Sequence, residues 1–75
     1  MNKKKQVLKI LNEWEKDFKV FGRSLPFDKT DLEEVRKYAK LNAEMSMVAD
    51  IREESKKLLK LIQNLTQEEY QKFFD

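Results

Sequence analysis

The sequence of 75 residues contains no cysteine, no histidine, one glycine and one proline. Without cysteine the chain has neither a disulfide framework nor a thiolate metal site. Cysteine and histidine are also the side chains that most readily act as nucleophile or base near neutral pH. The single glycine excludes a glycine-rich phosphate-binding loop. We therefore expect a non-catalytic protein with no cofactor and no metal.

Long apolar runs are missing as well. The best run, from Leu58 to Ile62, is split by Lys60, so we expect no membrane-spanning segment. The residues that follow Lys3, Lys4 and Lys5 contain no apolar stretch of the length that a signal peptide needs. Absence of cysteine agrees with a reducing compartment. We therefore predict a cytoplasmic protein with no membrane partner.

Helical periodicity is the main positive signal. A first helix is predicted from about Lys3 to Phe21, and Gly22 follows at the position that often adopts a left-handed conformation. Residues 22–29 form a loop around Pro26, and a connection of this length suits two antiparallel helices. The apolar face of the first helix contains Val7, Leu11, Trp14, Phe18 and Phe21.

The stretch from Thr30 to Leu65 is predicted as one long helix because neither glycine nor proline interrupts it. Thr30 and Glu33 have the spacing of a capping box at its start. The polar stretch 52–57 is a soft region of this helix, and a second possible break lies within residues 42–46 or at Asp50, which could act as a new cap. The face shared at steps of three and four residues contains Val35, Tyr38, Leu41, Met45, Val48, Ile51, Ser55, Leu58, Ile62 and Leu65.

These patterns predict an all-α helical hairpin over residues 1–65, followed by a short helix or docking tail over residues 66–75. Thr66 and Glu69 repeat the capping-box spacing at the start of the tail. A continuous long helix would extend roughly 50 Å, far more than a compact domain of this size. We therefore expect a homodimer that forms a four-helix bundle. The predicted core contains Val7, Leu11, Trp14, Phe18, Phe21, Phe27, Leu41, Met45, Val48, Ile51, Leu58 and Ile62.

Basic residues form a ridge along the first helix. Its members recur at helical spacing opposite the apolar face, and no acidic residue interrupts them. The basic ridge consists of Lys5, Lys9, Lys16, Lys19 and Arg23, with Asn12 between them. Such a ridge suits contact with nucleic-acid phosphates. The solvated face of an ordinary bundle helix is the more common origin of such a ridge, and contact with an anionic membrane is a third alternative.

The last nine residues contain Gln67, Tyr70, Phe73 and Phe74 in a Q-x-x-hydrophobic-x-x-aromatic-aromatic spacing. This spacing resembles the PIP box, the peptide that binds ring-shaped sliding clamps of the archaeal and eukaryotic type. The resemblance implies that Gln67 is a polar anchor, Tyr70 the central hydrophobe, and Phe73 and Phe74 an aromatic plug. Tyr70 stands where these peptides usually carry Leu, Ile or Met.

The same aromatic spacing has a second interpretation. Tyr70, Phe73 and Phe74 would then fold back onto the apolar residues between Leu58 and Leu65 as part of the core. Three functional hypotheses follow from the sequence. The first is a small accessory or regulatory subunit that acts by binding another macromolecule. The second is a replication or repair factor that docks on a sliding clamp, and the third is a nucleic-acid-binding regulator that uses the basic ridge.

Overall fold

The computed structural model describes residues 2–75, which contain four α-helices and no strand. Helix α1 spans Lys3–Val20, α2 spans Leu32–Met45, α3 spans Ala49–Ile62 and α4 spans Gln67–Gln71. A 3₁₀ turn over Lys72–Phe74 ends the chain. The all-α prediction is confirmed. The structure is one copy of the chain, and the homodimer stays a prediction.

Helix α1 ends at the glycine that the sequence singles out. Gly22 has a φ of +70°, the left-handed conformation that glycine adopts most easily. Its N–H donates to the Lys19 carbonyl at 2.9 Å, and the Arg23 N–H donates to the Phe18 carbonyl at 2.9 Å. This pair of bonds is a Schellman motif, which satisfies carbonyls that the helix end leaves open.

The predicted long helix is wrong, because the chain reverses direction at Ser46–Val48 between α2 and α3. At the turn the Val48 N–H donates to the Ser46 hydroxyl at 3.2 Å. The Arg52 guanidinium donates to the Ser46 carbonyl at 3.0 Å. The reversal lets the apolar faces of α2 and α3 pack on each other within one copy. The domain therefore measures 31 × 24 × 23 Å. Its longest dimension is well below the roughly 50 Å that one continuous helix would span.

The predicted cap of the second helix is shifted by one residue. Asp31, and not Thr30, is the N-cap, and its carboxylate accepts from the N–H groups of Glu33 and Glu34. The Thr30 hydroxyl instead donates to the Asp28 carboxylate at 2.7 Å. A carboxylate is the better partner at this end, since the helix dipole favours negative charge there.

The capping box of the tail is confirmed. The Glu69 N–H donates to the Thr66 hydroxyl, and the Thr66 N–H donates to the Glu69 carboxylate. The Thr66 N–H and the Thr66 hydroxyl both lower the pKa of Glu69 from its ordinary value, because they stabilise the ionised carboxylate.

Helix α3 lies between the other two long helices and runs antiparallel to both. Glu13 of α1 lies beside Glu54, and Arg36 of α2 reaches the carbonyl of Ile62 at 3.0 Å. Helices α1 and α2 therefore run in the same general direction. The loop between them travels back along the bundle, with Phe27 packed on the core, and does not join antiparallel neighbours as expected.

The core forms between the three long helices and the tail. Its ten buried hydrophobic residues are Val7, Ile10, Leu11, Trp14, Leu32, Val35, Ala39, Leu58, Ile62 and Tyr70. Burial of Val7, Leu11, Trp14, Leu58 and Ile62 was predicted and is confirmed. Phe18, Phe27 and Ile51 are half-buried.

Four predicted core positions are wrong for the single copy. Phe21 is 79% exposed, Met45 70%, Val48 53% and Leu41 51%. All four lie near the end of the bundle where α1 and α2 finish and α3 begins. The reversal at Ser46–Val48 turns this part of the predicted apolar face outward, so no other element of the described chain covers it.

Candidate interaction surfaces

The end of the bundle near α4 is closed by the tail. Tyr70 is fully buried, and its hydroxyl donates to the Lys29 carbonyl. Burial raises the pKa of Tyr70 above the ordinary value for a tyrosine. Its ring lies 5.8 Å from the ring of Phe73 and 5.3 Å from that of Phe74, measured between centroids. The tail is therefore part of the core.

Two polar side chains lock the closed end to the rest of the bundle. Gln67 accepts from the Leu32 N–H at 2.8 Å and donates to the Thr30 carbonyl at 2.9 Å. Arg36 donates to the carbonyls of Ile62 and Leu65, both at 3.0 Å. The amide of the tail thus caps the start of α2, and the cation of α2 caps the end of α3.

These contacts bear on the residues that resemble a PIP box. Gln67 and Tyr70 both have partners within the chain, and Phe73 and Phe74 are half-buried against the core. The second interpretation of the aromatic spacing, a tail folded onto the core, is therefore confirmed. Clamp binding through Gln67, Tyr70, Phe73 and Phe74 stays a prediction, and it requires the tail to leave the bundle.

A polar depression of about 610 Å³ lies beside the closed end. Its lining includes Arg36 and the first residues of α2. The guanidinium already donates to carbonyls of α3 and of the segment after it, and the Leu32 N–H already donates to Gln67. The depression therefore offers few free donors to a ligand.

The opposite end of the bundle is open and apolar. Six large apolar side chains there are more than half exposed, and Met47 reaches 97%. We call this surface the apolar end; it consists of Val20, Phe21, Leu41, Met45, Met47 and Val48. A cavity of about 190 Å³ opens beside these residues. Its lining residues are Trp14, Asp17, Phe18, Phe21, Tyr38, Asn42, Ser46 and Ile51.

Five carboxylates line a groove between α1 and α3 that adjoins the cavity. We call them the acidic wall; they are Glu13, Asp17, Asp50, Glu53 and Glu54. The groove and the cavity share Asp17 and Ile51 in their linings, so they form one continuous surface. Among residues 2–75, only Glu53 of these five has an ion-pair partner, Lys56 at 3.9 Å.

Crowding of the carboxylates changes the titration of Glu54. Burial raises its pKa, and the hydrogen bond and negative charge of Glu13 raise it further, as does the charge of Asp17. The indole N–H of Trp14 acts in the opposite direction. That N–H lies near the Glu54 carboxyl but forms no well-aligned hydrogen bond within residues 2–75, although the Trp14 side chain is buried. The negative charges of Glu13 and Asp17 therefore disfavour the ionised form of Glu54.

The four lysines of the basic ridge lie on the exposed side of α1, and Arg23 lies just beyond the end of that helix. Lys5, Lys9, Lys16, Lys19 and Arg23 are all exposed, while Val7, Leu11 and Trp14 face the core. Within the described part of the chain, none of the five cations forms an ion pair. Their exposure leaves them available to an anionic partner, and their binding of nucleic acid stays a prediction.

Comparisons of the chain with protein-family models, with curated proteins and with solved structures find no match. Between residues 2 and 75 no group of acidic side chains is arranged to hold a metal ion. No helix in the same range combines the length and apolar character needed to cross a bilayer. The surfaces themselves therefore carry the functional argument.

Proposed function

We propose that this protein is a small, non-catalytic accessory or regulatory module that binds another protein through its apolar end. The observation that carries the proposal is the exposure of six large apolar side chains at one end of a bundle whose other end is closed. Contiguous apolar patches on soluble proteins often mark sites of interaction. Two of the six are methionines, whose flexible side chains adapt to varied partner surfaces.

The cavity beside the apolar end is sized for a side chain. Pockets for drug-sized molecules have volumes of roughly 300–1,000 Å³, whereas this cavity measures about 190 Å³. A protein cavity of about 150 Å³ holds benzene. One aromatic or branched side chain of a partner would therefore fill it. Anchors of this kind contribute much of the affinity of protein interfaces.

Site-specific photo-crosslinking in the source cells tests the proposal. A photoreactive phenylalanine analogue is placed at Met47 in the apolar end, and at Asn64 near the closed end as a control. We expect a discrete crosslinked product from position 47 only, and its loss when Phe21→Asp is added. Identical products from both positions would contradict the proposal. A product of twice the chain mass would identify a second copy, the predicted homodimer.

A second candidate function is binding of nucleic acid through the basic ridge. Five exposed cations without ion pairs between residues 2 and 75 support it. The four lysines extend over roughly 21 Å of helix axis, and Arg23 lies just beyond the end of α1. If all five contact phosphates, the logarithm of the binding constant should fall with the logarithm of salt concentration at a slope of about −4.5.

Charge reversal tests this candidate. The variant Lys9→Glu, Lys16→Glu, Lys19→Glu is compared with a control of equal net charge, Lys37→Glu, Lys40→Glu, Lys60→Glu. All six lysines are exposed and lack ion pairs in the described chain. We expect fluorescence anisotropy to show loss of duplex DNA binding in the ridge variant alone. Equal affinity of the two variants would exclude a role of the ridge.

A further inference from the structure

The apolar end and the acidic wall form one surface with two chemical halves. The cavity provides an apolar floor through Phe18, Phe21 and Ile51. The adjoining groove places Asp17, Asp50 and the other carboxylates of the wall directly beside that floor. An occupant that fills the cavity therefore places its neighbouring residues against negative charge.

Among residues 2–75, only one cation forms an ion pair with the acidic wall. Arg52 is held at the α2–α3 turn by the Ser46 carbonyl, and Lys56 reaches only Glu53. Lys5, Lys9 and Lys57 line a neighbouring depression together with Glu13 and Glu54, but none of the three lysines forms an ion pair among residues 2–75. Four of the five carboxylates thus have no ion-pair partner among residues 2–75. An approaching cation would relieve the repulsion within the wall.

We infer that the occupant of this surface is an amphipathic helix of a partner protein, with one bulky apolar anchor for the cavity and lysine or arginine residues against the acidic wall. The inference rests on the proposed protein-binding function of the apolar end. A helix suits the site because residues three or four apart lie on one face. A single helix face can therefore present an apolar anchor and basic neighbours together.

Charge also separates this occupant from the alternatives. A two-fold contact with a second copy, centred on the groove, would set five carboxylates against five others. Nucleic acid would be repelled by the same wall. Complementary charge accelerates association and excludes wrong partners. A basic helix is the occupant that satisfies both the cavity and the wall.

A designed peptide tests the inference with the full chain. The probe is an alanine-based helix of about 18 residues with a central leucine and lysines three and four residues away on each side. One control peptide replaces the lysines by glutamates, and another replaces the leucine by alanine. Trp14 lines the cavity, so its fluorescence reports occupancy, and amide chemical shifts locate the contact.

We expect the lysine peptide to shift amides of the apolar end and the acidic wall. Binding should weaken by about tenfold or more with the glutamate peptide, with the alanine peptide, and in the protein variant Asp17→Asn, Asp50→Asn. The control variant Glu33→Gln, Glu68→Gln removes two exposed charges elsewhere and should bind normally.

Equal binding of the lysine and glutamate peptides would overturn the inference and leave the proposed function standing. Undiminished binding of the alanine peptide would also overturn it, because no anchor would then be needed. Binding by none of the peptides, together with a crosslink to a second copy, would make that copy the occupant and overturn the inference. Binding by none of them without any specific crosslink would refute the inference and the proposed function together.

Discussion

Tyr70 offers the sharpest test of how the closed end is held. Its ring has no exposed surface, and its hydroxyl donates to the Lys29 carbonyl in the loop before α2. The variant Tyr70→Phe removes this hydrogen bond and keeps the ring. The variant Tyr70→Ala removes the ring as well. Together they separate the contribution of the hydrogen bond from that of packing.

The expected magnitudes follow from burial. Loss of one hydrogen bond that leaves a buried partner unsatisfied costs about 1–3 kcal/mol, and truncation of a buried aromatic side chain to alanine costs about 3–5 kcal/mol. A domain of this length has a free energy of unfolding of about 4–11 kcal/mol. Tyr70→Ala should therefore remove a large part of the free energy of unfolding, whereas Tyr70→Phe should leave a chain that is folded but measurably less stable.

Urea unfolding measures both changes through the fluorescence of Trp14, the single tryptophan, and through helical circular dichroism. Tyr38→Phe is the matched control, because Tyr38 is half-buried and its hydroxyl has no hydrogen bond within residues 2–75. It should change the free energy of unfolding by less than Tyr70→Phe does. A loss below about 1 kcal/mol for Tyr70→Ala would refute a core tail and favour a detachable clamp-binding peptide.

Three further predictions concern single positions. Gly22→Ala should lower the free energy of unfolding in urea titrations by about 1 kcal/mol, because alanine disfavours the left-handed conformation. No atom lies within 4 Å of an added Cβ, so the backbone conformation is the only source of this loss. An unchanged free energy of unfolding would contradict the prediction. Glu54→Gln should raise the midpoint of thermal unfolding at pH 7, because the raised pKa of Glu54 shows that the fold disfavours its ionised form. The gain should vanish below pH 4.5, where the carboxyl is neutral in both the folded and the unfolded chain. A lower midpoint of the variant at pH 7 would contradict this prediction. Burial raises the pKa of Tyr70 above the value of 10.0 for an ordinary tyrosine, so the free energy of unfolding should fall as the pH rises beyond that value. Unfolding curves at alkaline pH should show a smaller loss for Tyr70→Phe, which has no phenol to ionise at this position.

The helix ends that depend on neighbouring residues could be predicted from the sequence. The N–H groups of Gly22 and Arg23 donate to the carbonyls of Lys19 and Phe18 at the end of α1, so the whole motif lies within residues 18–23. Thr66 and Glu69 start α4 by bonding to each other's backbone. Such signals are local, so the residue types and their spacing are sufficient to identify them.

The reversal at Ser46–Val48 lies next to the possible break at residues 42–46, but no local signal favours that break over a continuous helix. Residues 46–48 contain neither glycine nor proline, and Val48 caps α3 without any side-chain hydrogen bond. The turn is stabilised instead by distant contacts, in which Val35 and Ala39 of α2 share a core with Leu58 of α3. Burial of apolar surface between helices outweighs the local preference for a continuous helix.

The tail illustrates a different limit. The spacing of Gln67, Tyr70, Phe73 and Phe74 gives one polar and one aromatic side to a single turn. That turn can serve a docking peptide or the protein's own core equally well. The outcome depends on whether an acceptor such as the Lys29 carbonyl, and a donor such as the Leu32 N–H, lie within reach. Only the three-dimensional arrangement provides this information.

The wrong core predictions are themselves informative about function. Helical periodicity identifies residues that favour burial, but it does not identify which surface buries them. The chain itself buries Val7, Leu11, Leu58 and Ile62. The positions of the predicted apolar face that lie near the α2–α3 turn are exposed. The latter group adjoins a cavity of about 190 Å³ and a wall of carboxylates. The apolar face that the sequence predicts for one long helix is thus divided by the turn into a buried part and the exposed apolar end. The basic partner helix that we infer would bury the exposed part.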